Sequence, residues 1–156
     1  MGQYYLIVNL DKKQFLHPHK CGDGLKLLEF GCSAIGTLTA LVVLLADGNN
    51  RGGGDLRSDH PVIGSWAGDR IVVAGDYADQ GKFTSDPDRN LFCVATDEYQ
   101  DISRQALRAM ADDSYLAEEM RRNTTWEGEH SQPVYDYAIG GTAILQIVIR
   151  LISSAR

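Results

Sequence analysis

A chain of 156 residues fits one domain, because two cores of that combined size would each be marginal. With 44% apolar and 23% charged residues, its composition is that of a globular protein and excludes wholesale disorder. A formal charge of -6 argues against general nucleic-acid binding, since Lys and Arg neutralising phosphates supply most of that affinity, and the closest basic pairs, Lys12-Lys13 and Arg121-Arg122, are short.

The start, Met1-Gly2-Gln3-Tyr4-Tyr5, lacks the charged lead and long apolar stretch of a secretory signal, and Leu6 stands where myristoylation of Gly2 needs Ser or Thr. The segment Gln3–Asn9, rich in Tyr, Ile and Val, and Gln14–Leu16 predict a β-hairpin turning at Asp11-Lys12-Lys13. Pro18 to Gly24 reads as a loop flanked by His17 and His19, with a short helical turn over Leu25–Phe30. Ser33 is placed as the N-cap of a helix over Ala34–Ala46 that Gly48 ends. That helix is apolar nearly all round, which predicts burial on most sides and a central place in the core. Asp47–His60 follows as a long Gly-rich loop, of a length that in compact domains tends to be functional or mobile.

Val62–Trp66 and Arg70–Ala74 predict two strands joined by a turn at Ala67-Gly68-Asp69, and a polar loop over Gly75–Asn90 leads to a further strand at Leu91–Ala95. Asp101 or Ser103 caps a helix whose Ile102, Ala106, Leu107 and Met110 share a face, and a second helix, Tyr115–Asn123, carries the Glu118–Arg122 pair. Val134–Ile139, the turn Gly140-Gly141 and the β-branched Ile144, Ile147, Val148 and Ile149 favour strands at the end, although Thr142, Gln146 and Arg150 also fit a polar stripe on a helix. The fold class expected is α+β: a single compact domain over residues 1–156, largely an antiparallel sheet packed on a central apolar helix plus one or two further helices. No apolar run reaches the roughly 20 residues of a bilayer span. Cys21, Cys32 and Cys93 are odd in number and lack a Cys-x-x-Cys pair, which fits reduced thiols in the cytoplasm.

Polar chemistry concentrates between His17 and Asp79. His17, His19 and His60 with Asp23, Asp55 and Asp59 offer a donor set for a borderline divalent metal, against the plainer reading of surface histidines beside Pro18. Asp47-Gly48-Asn49-Asn50-Arg51-Gly52 starts like a calcium loop, but Arg51 occupies a ligand position and Ser58 stands where the bidentate Glu belongs. Gly31-Cys32-Ser33-Ala34-Ile35-Gly36 misses the nucleophile elbow by one residue. Cys32 beside a helix N-terminus, with His17 or His19 as base, is a thiol-nucleophile candidate, against an inert thiol. No phosphate-binding Gly-Lys-Ser/Thr and no Gly-x-Gly-x-x-Gly between strand and helix occurs.

Trp66 and Tyr77 among Gly64, Gly68, Asp69, Arg70, Gly75, Asp76 and Asp79 suggest an aromatic face with carboxylates for a planar polar ring such as a nucleobase. The plain alternative makes Trp66 core, Gly-Asp turn chemistry, and Asp69–Arg70 a structural pair. The leading expectation is non-catalytic binding of a small polar or anionic ligand, nucleotide-like, with no cofactor. The residues assigned to it are His17, His19, Asp23, Ser33, Gly53, Gly54, Asp55, Trp66, Asp69, Arg70, Asp76 and Tyr77. Backbone amides of the glycine loop and of the helix start at Ser33 would meet the negative charge. The alternatives are a small metal-assisted or thiol hydrolase, with His17, His19 and His60 as the weaker metal set, and an acidic interaction or inhibitor module using Asp97, Glu98, Asp101, Asp112, Asp113, Glu118 and Glu119. A homo-oligomer is left open.

Overall fold

The computed structural model describes residues 2–126, 128–140 and 154. The expected hairpin forms: β1 (Tyr5–Asn9) pairs antiparallel with β2 (Gln14–Leu16), Ile7 opposite Leu16 and Val8 opposite Phe15. Asn9 fixes the turn from a fully buried position, its Oδ1 accepting the Lys12 N–H at 2.8 Å while its Nδ2 donates to Asp69 Oδ2 at 2.8 Å. β3 (Ile71–Gly75) adds to the other side of β1, again antiparallel, and the two-residue β4 (Gln100–Asp101) runs parallel to β2, giving the order β3-β1-β2-β4.

Alternation along β1 explains why both faces of so small a sheet are covered. Leu6 and Val8 pack with Phe15, Ala74, Leu91 and Ala95, under α3 (Leu91–Glu98). Ile7 and Leu16 face the larger core, where α1 (Leu27–Gly31), α2 (Thr37–Leu45) and α4 (Ser103–Ala111) bring Phe30, Leu44, Leu107 and Met110 around Trp66. α5 (Ser114–Arg122) follows α4, capped by the Asp113 carboxylate, which accepts from the Tyr115 and Leu116 amides.

The expectation of a largely antiparallel sheet is corrected: 39% of the described residues are helical and only 12% are in strand. Three expected strands account for the difference. Leu91–Ala95 is the start of α3, because Asn90 caps it by accepting from the Cys93 N–H at 3.0 Å and Leu91, Val94 and Ala95 bury one helical face. Val134–Ile139 lies in a helical segment over residues 134–140, whose buried Val134, Tyr137 and Ala138 recur at helical spacing. The remainder of that expected strand region, from Gly141 through Ile152, is outside the described residues.

Val62–Trp66 is a chain of turns because its backbone has another task. Its Gly64 and Trp66 amides donate to Val43 and Leu44 carbonyls at 3.0 and 2.9 Å, satisfying acceptors that the end of α2 leaves open. Gly64 has φ +72, and a Cβ there would sit 2.4 Å from the Ala46 carbonyl oxygen, so only glycine fits.

The central helix is also corrected. It starts at Thr37, not Ala34, and is buried on one side only: Ala40, Val43 and Leu44 face the core while Val42 is 66% exposed. Among the described residues no helix is long and apolar enough to cross a membrane.

Candidate functional site

The outward side of α2 forms one wall of a groove. The opposite wall is the α4–α5 turn and the start of α5, and the floor includes Val43, Leu56 and Ile63. The groove has a volume of about 900 Å³. Thr39, Tyr115 and Leu116 also border a neighbouring, narrower cavity of about 570 Å³ lined by Asp23 and Ser33. Tyr115, 65% exposed, and Val42 stand at the lip.

The long loop is ordered from its base. Asn49 mimics a strand partner, donating from Nδ2 to the Leu56 carbonyl at 2.8 Å and accepting the Leu56 N–H at 2.9 Å. Ser58 Oγ donates to Asp112 Oδ2 at 2.5 Å, which clips the loop to the α4–α5 turn. Asp55 accepts the Arg51 N–H at 2.6 Å. Three carboxylates thus line the wide cavity, Asp55, Asp112 and Asp113, and each is held by amide or hydroxyl donors, not by a cation. The ion pairs of the described residues lie elsewhere, and Arg57 is the single basic residue among those lining this cavity.

At the narrow cavity, the amide end of α2 is occupied from within. Asp23 Oδ2 accepts both the Thr37 N–H and its Oγ1–H at 2.7 Å. A 3-10 turn, Pro18–Cys21, places this carboxylate, with Gly22 in the left-handed region at φ 86. Burial, reinforced by the neighbouring Asp23 charge, pushes the Cys21 thiol far above its ordinary range, so it is an inert core group.

Of the residues assigned to one pocket, Gly54 and Asp55 line the wide cavity and Asp23 and Ser33 the neighbouring narrow one. Gly53 sits on the exposed tip of the loop. His17 precedes the 3-10 turn and His19 lies within it, their rings 5.5 Å apart, with the His17 backbone N–H on Ser103 Oγ and the His19 ring stacked on Trp126. Trp66 is sealed in the core at 0% exposure, with Nε1 donating to Gln14 Oε1 at 2.8 Å, so it offers no face to a ligand.

Asp69 and Arg70 are turn-holding groups and do not pair with each other. Asp69 takes Lys12 at 2.5 Å and Asn9, while Arg70 forks onto Asp11 through Nε and Nη2. Asp76 Oδ1 accepts the Tyr4 N–H, and Tyr77 lines a separate cleft beside β3. Cys32 ends α1 at its C-terminal side and does not begin a helix. Among the described residues no three His, Cys, Asp or Glu side chains converge as a metal donor set.

Sequence reasoning missed Val42, Tyr115 and Leu116. A uniformly apolar α2 carries no periodic signal of which side stays open, but Asp113 before an amphipathic run did mark the helix that forms the opposite wall. No family model matches the chain, and no curated protein or solved structure is significantly similar to it.

Proposed function

We propose that this chain is a non-catalytic binding protein, and that its α2–α5 groove takes a peptide segment of a protein partner in which aliphatic side chains alternate with Lys or Arg. The observation that carries the reading is the pairing of an apolar floor with three carboxylates that are in no ion pair of the described residues and outnumber the one cation of the lining, Arg57. Apolar contact supplies affinity, and the carboxylates select charge and speed encounter. A groove with that rim repels an anion, and Asp23 already occupies the helix start that would otherwise attract one. These features favour a cationic ligand over the anionic or nucleotide-like molecule expected from the sequence. A cytoplasmic setting belongs to the same proposal, supported by three cysteines that stay unbridged.

The test is amide NMR of the whole chain, titrated with a Leu/Lys peptide, its Leu/Glu counterpart and a set of nucleotides. The Leu/Lys peptide is expected to shift Val42, Leu56, Tyr115 and Leu116, and a Val42→Glu, Tyr115→Ala variant to bind it about tenfold less tightly. Shifts of these residues with nucleotides alone, or with none of the probes, would refute the reading.

A further inference from the structure

A second surface, sharing no residue with the groove, lies at the open edge of the sheet. β3 is an edge strand. Bonds from Leu10 N–H to the Arg70 carbonyl and from Asp76 N–H to the Tyr4 carbonyl, both 3.0 Å, bracket its pairing with β1. In an antiparallel ladder this phase turns the backbone groups of Val72 and Ala74 toward β1, and those of Ile71 and Val73 outward. The Gly75 N–H also points outward, while its carbonyl accepts from Ala78 at 3.1 Å. Among the described residues nothing pairs with this edge.

The edge lacks the usual protection. Natural edges are blunted by Lys, Pro or a bulge within the strand, whereas β3 reads Ile-Val-Val-Ala-Gly and the nearby Lys82 belongs to the loop that flanks it. Val73 is 43% exposed, and beside it a cleft of about 340 Å³ is rimmed by Tyr77 and Phe83, 66% and 53% exposed. Phe83 is held at φ 62, a region that bulky residues rarely adopt, so the loop accepts backbone strain while presenting an aromatic ring to solvent.

We propose that this edge is a homodimer interface, in which β3 pairs antiparallel with β3 of a second copy about a two-fold axis at Val73 and joins the two four-stranded sheets into one. Charge selects both partner and register. With Val73 opposite Val73 of the second copy, Ile71 faces Gly75, Val72 faces Ala74, and Arg70 faces Asp76, twice over by symmetry. The Val73 N–H and carbonyl then meet those of the second copy and the Gly75 N–H meets the Ile71 carbonyl, while the Ile71 N–H shares the Gly75 carbonyl with Ala78. A slip of two residues, the smallest that preserves this match, puts Arg70 opposite Ala74 or Ala78 and loses both charge pairs. Arg70 can serve: it grips Asp11 through Nε and Nη2, which leaves Nη1 for the carboxylate across the interface.

Sedimentation velocity over a concentration series of the whole chain tests this, with amide hydrogen exchange as a second readout. A concentration-dependent dimer is expected, with exchange at Ile71 and Val73 slowing as it forms. Asp76→Asn, which keeps an acceptor for the Tyr4 N–H but removes the charge, should weaken it about tenfold. Val73→Lys, a change at an exposed side chain, should abolish the dimer while circular dichroism and melting temperature stay those of the parent measured at dilutions where the parent is monomeric. A monomer at every concentration overturns the proposal. So does a dimer indifferent to Val73→Lys or to Asp76→Asn.

Discussion

Asp11 and Asp69 close the far end of the β1–β2 hairpin, and both are acids held below the ordinary carboxylate range. For Asp11 the main cause is the Arg70 guanidinium, then the Arg70 amide; for Asp69 it is the Lys12 ammonium, then the Asn9 amide. A carboxylate depressed in the folded state stabilises the fold above its unfolded pKa, and that contribution disappears as pH falls through the lower, folded value. Urea midpoints are therefore expected to decline as pH drops below about 4, and Asp69→Asn should make the decline shallower; midpoints measured across this range check it. The plain reading of Trp66 and of the Gly-Asp turn was legible in the sequence. The partners of Asp69 and Arg70 were not, because Asn9, Asp11 and Lys12 reach them only through the β1–β3 register, across some 60 positions of chain.

At the scale of elements, α2 shows how composition can specify a helix without specifying its sides. Thr37–Leu45 is uniformly apolar, so no period separates Leu44, at 0% exposure, from Val42 two residues earlier. Their substitution should separate them. Leu44→Ala leaves a cavity under Trp66 and is expected to cost about 2–5 kcal/mol, while Val42→Ala stays within about 0.5 kcal/mol; chemical denaturation of both variants decides. Short apolar runs were misread for a related reason: Leu91–Ala95 is as apolar as a buried strand, and the cap at Asn90 was the discriminating signal. The hairpin, α4 and α5 were legible from turn residues in the first and a one-sided apolar pattern in the helices, although the N-cap of α4 is Ile102, with no side-chain cap, and not Asp101 or Ser103.

For the whole molecule, α+β and the two polar loops could be read in advance, whereas the balance of helix over strand could not. The segment 60–69 is spent on the C-terminal carbonyls of α2, a tertiary demand invisible in its own residues. The same holds for the site. Gly54 and Asp55 on one side and Asp23 and Ser33 on the other line neighbouring cavities because two loops border α2, while the β3 region lies on another surface.

The Asn49–Leu56 double bond ties the glycine loop like the neck of a bag, leaving Gly52 and Gly53 at a tip where an added Cβ meets nothing within 4 Å. Extra chain spliced between those two glycines is therefore insulated from the core, and lengthening a loop twofold costs only about 0.6 kcal/mol. A short epitope inserted there should leave the melting temperature nearly unchanged, and a dye carried on it would sit above the Asp55 wall. The protein thus comes with its own mounting point for a sensor, one that reads groove occupancy without touching the groove.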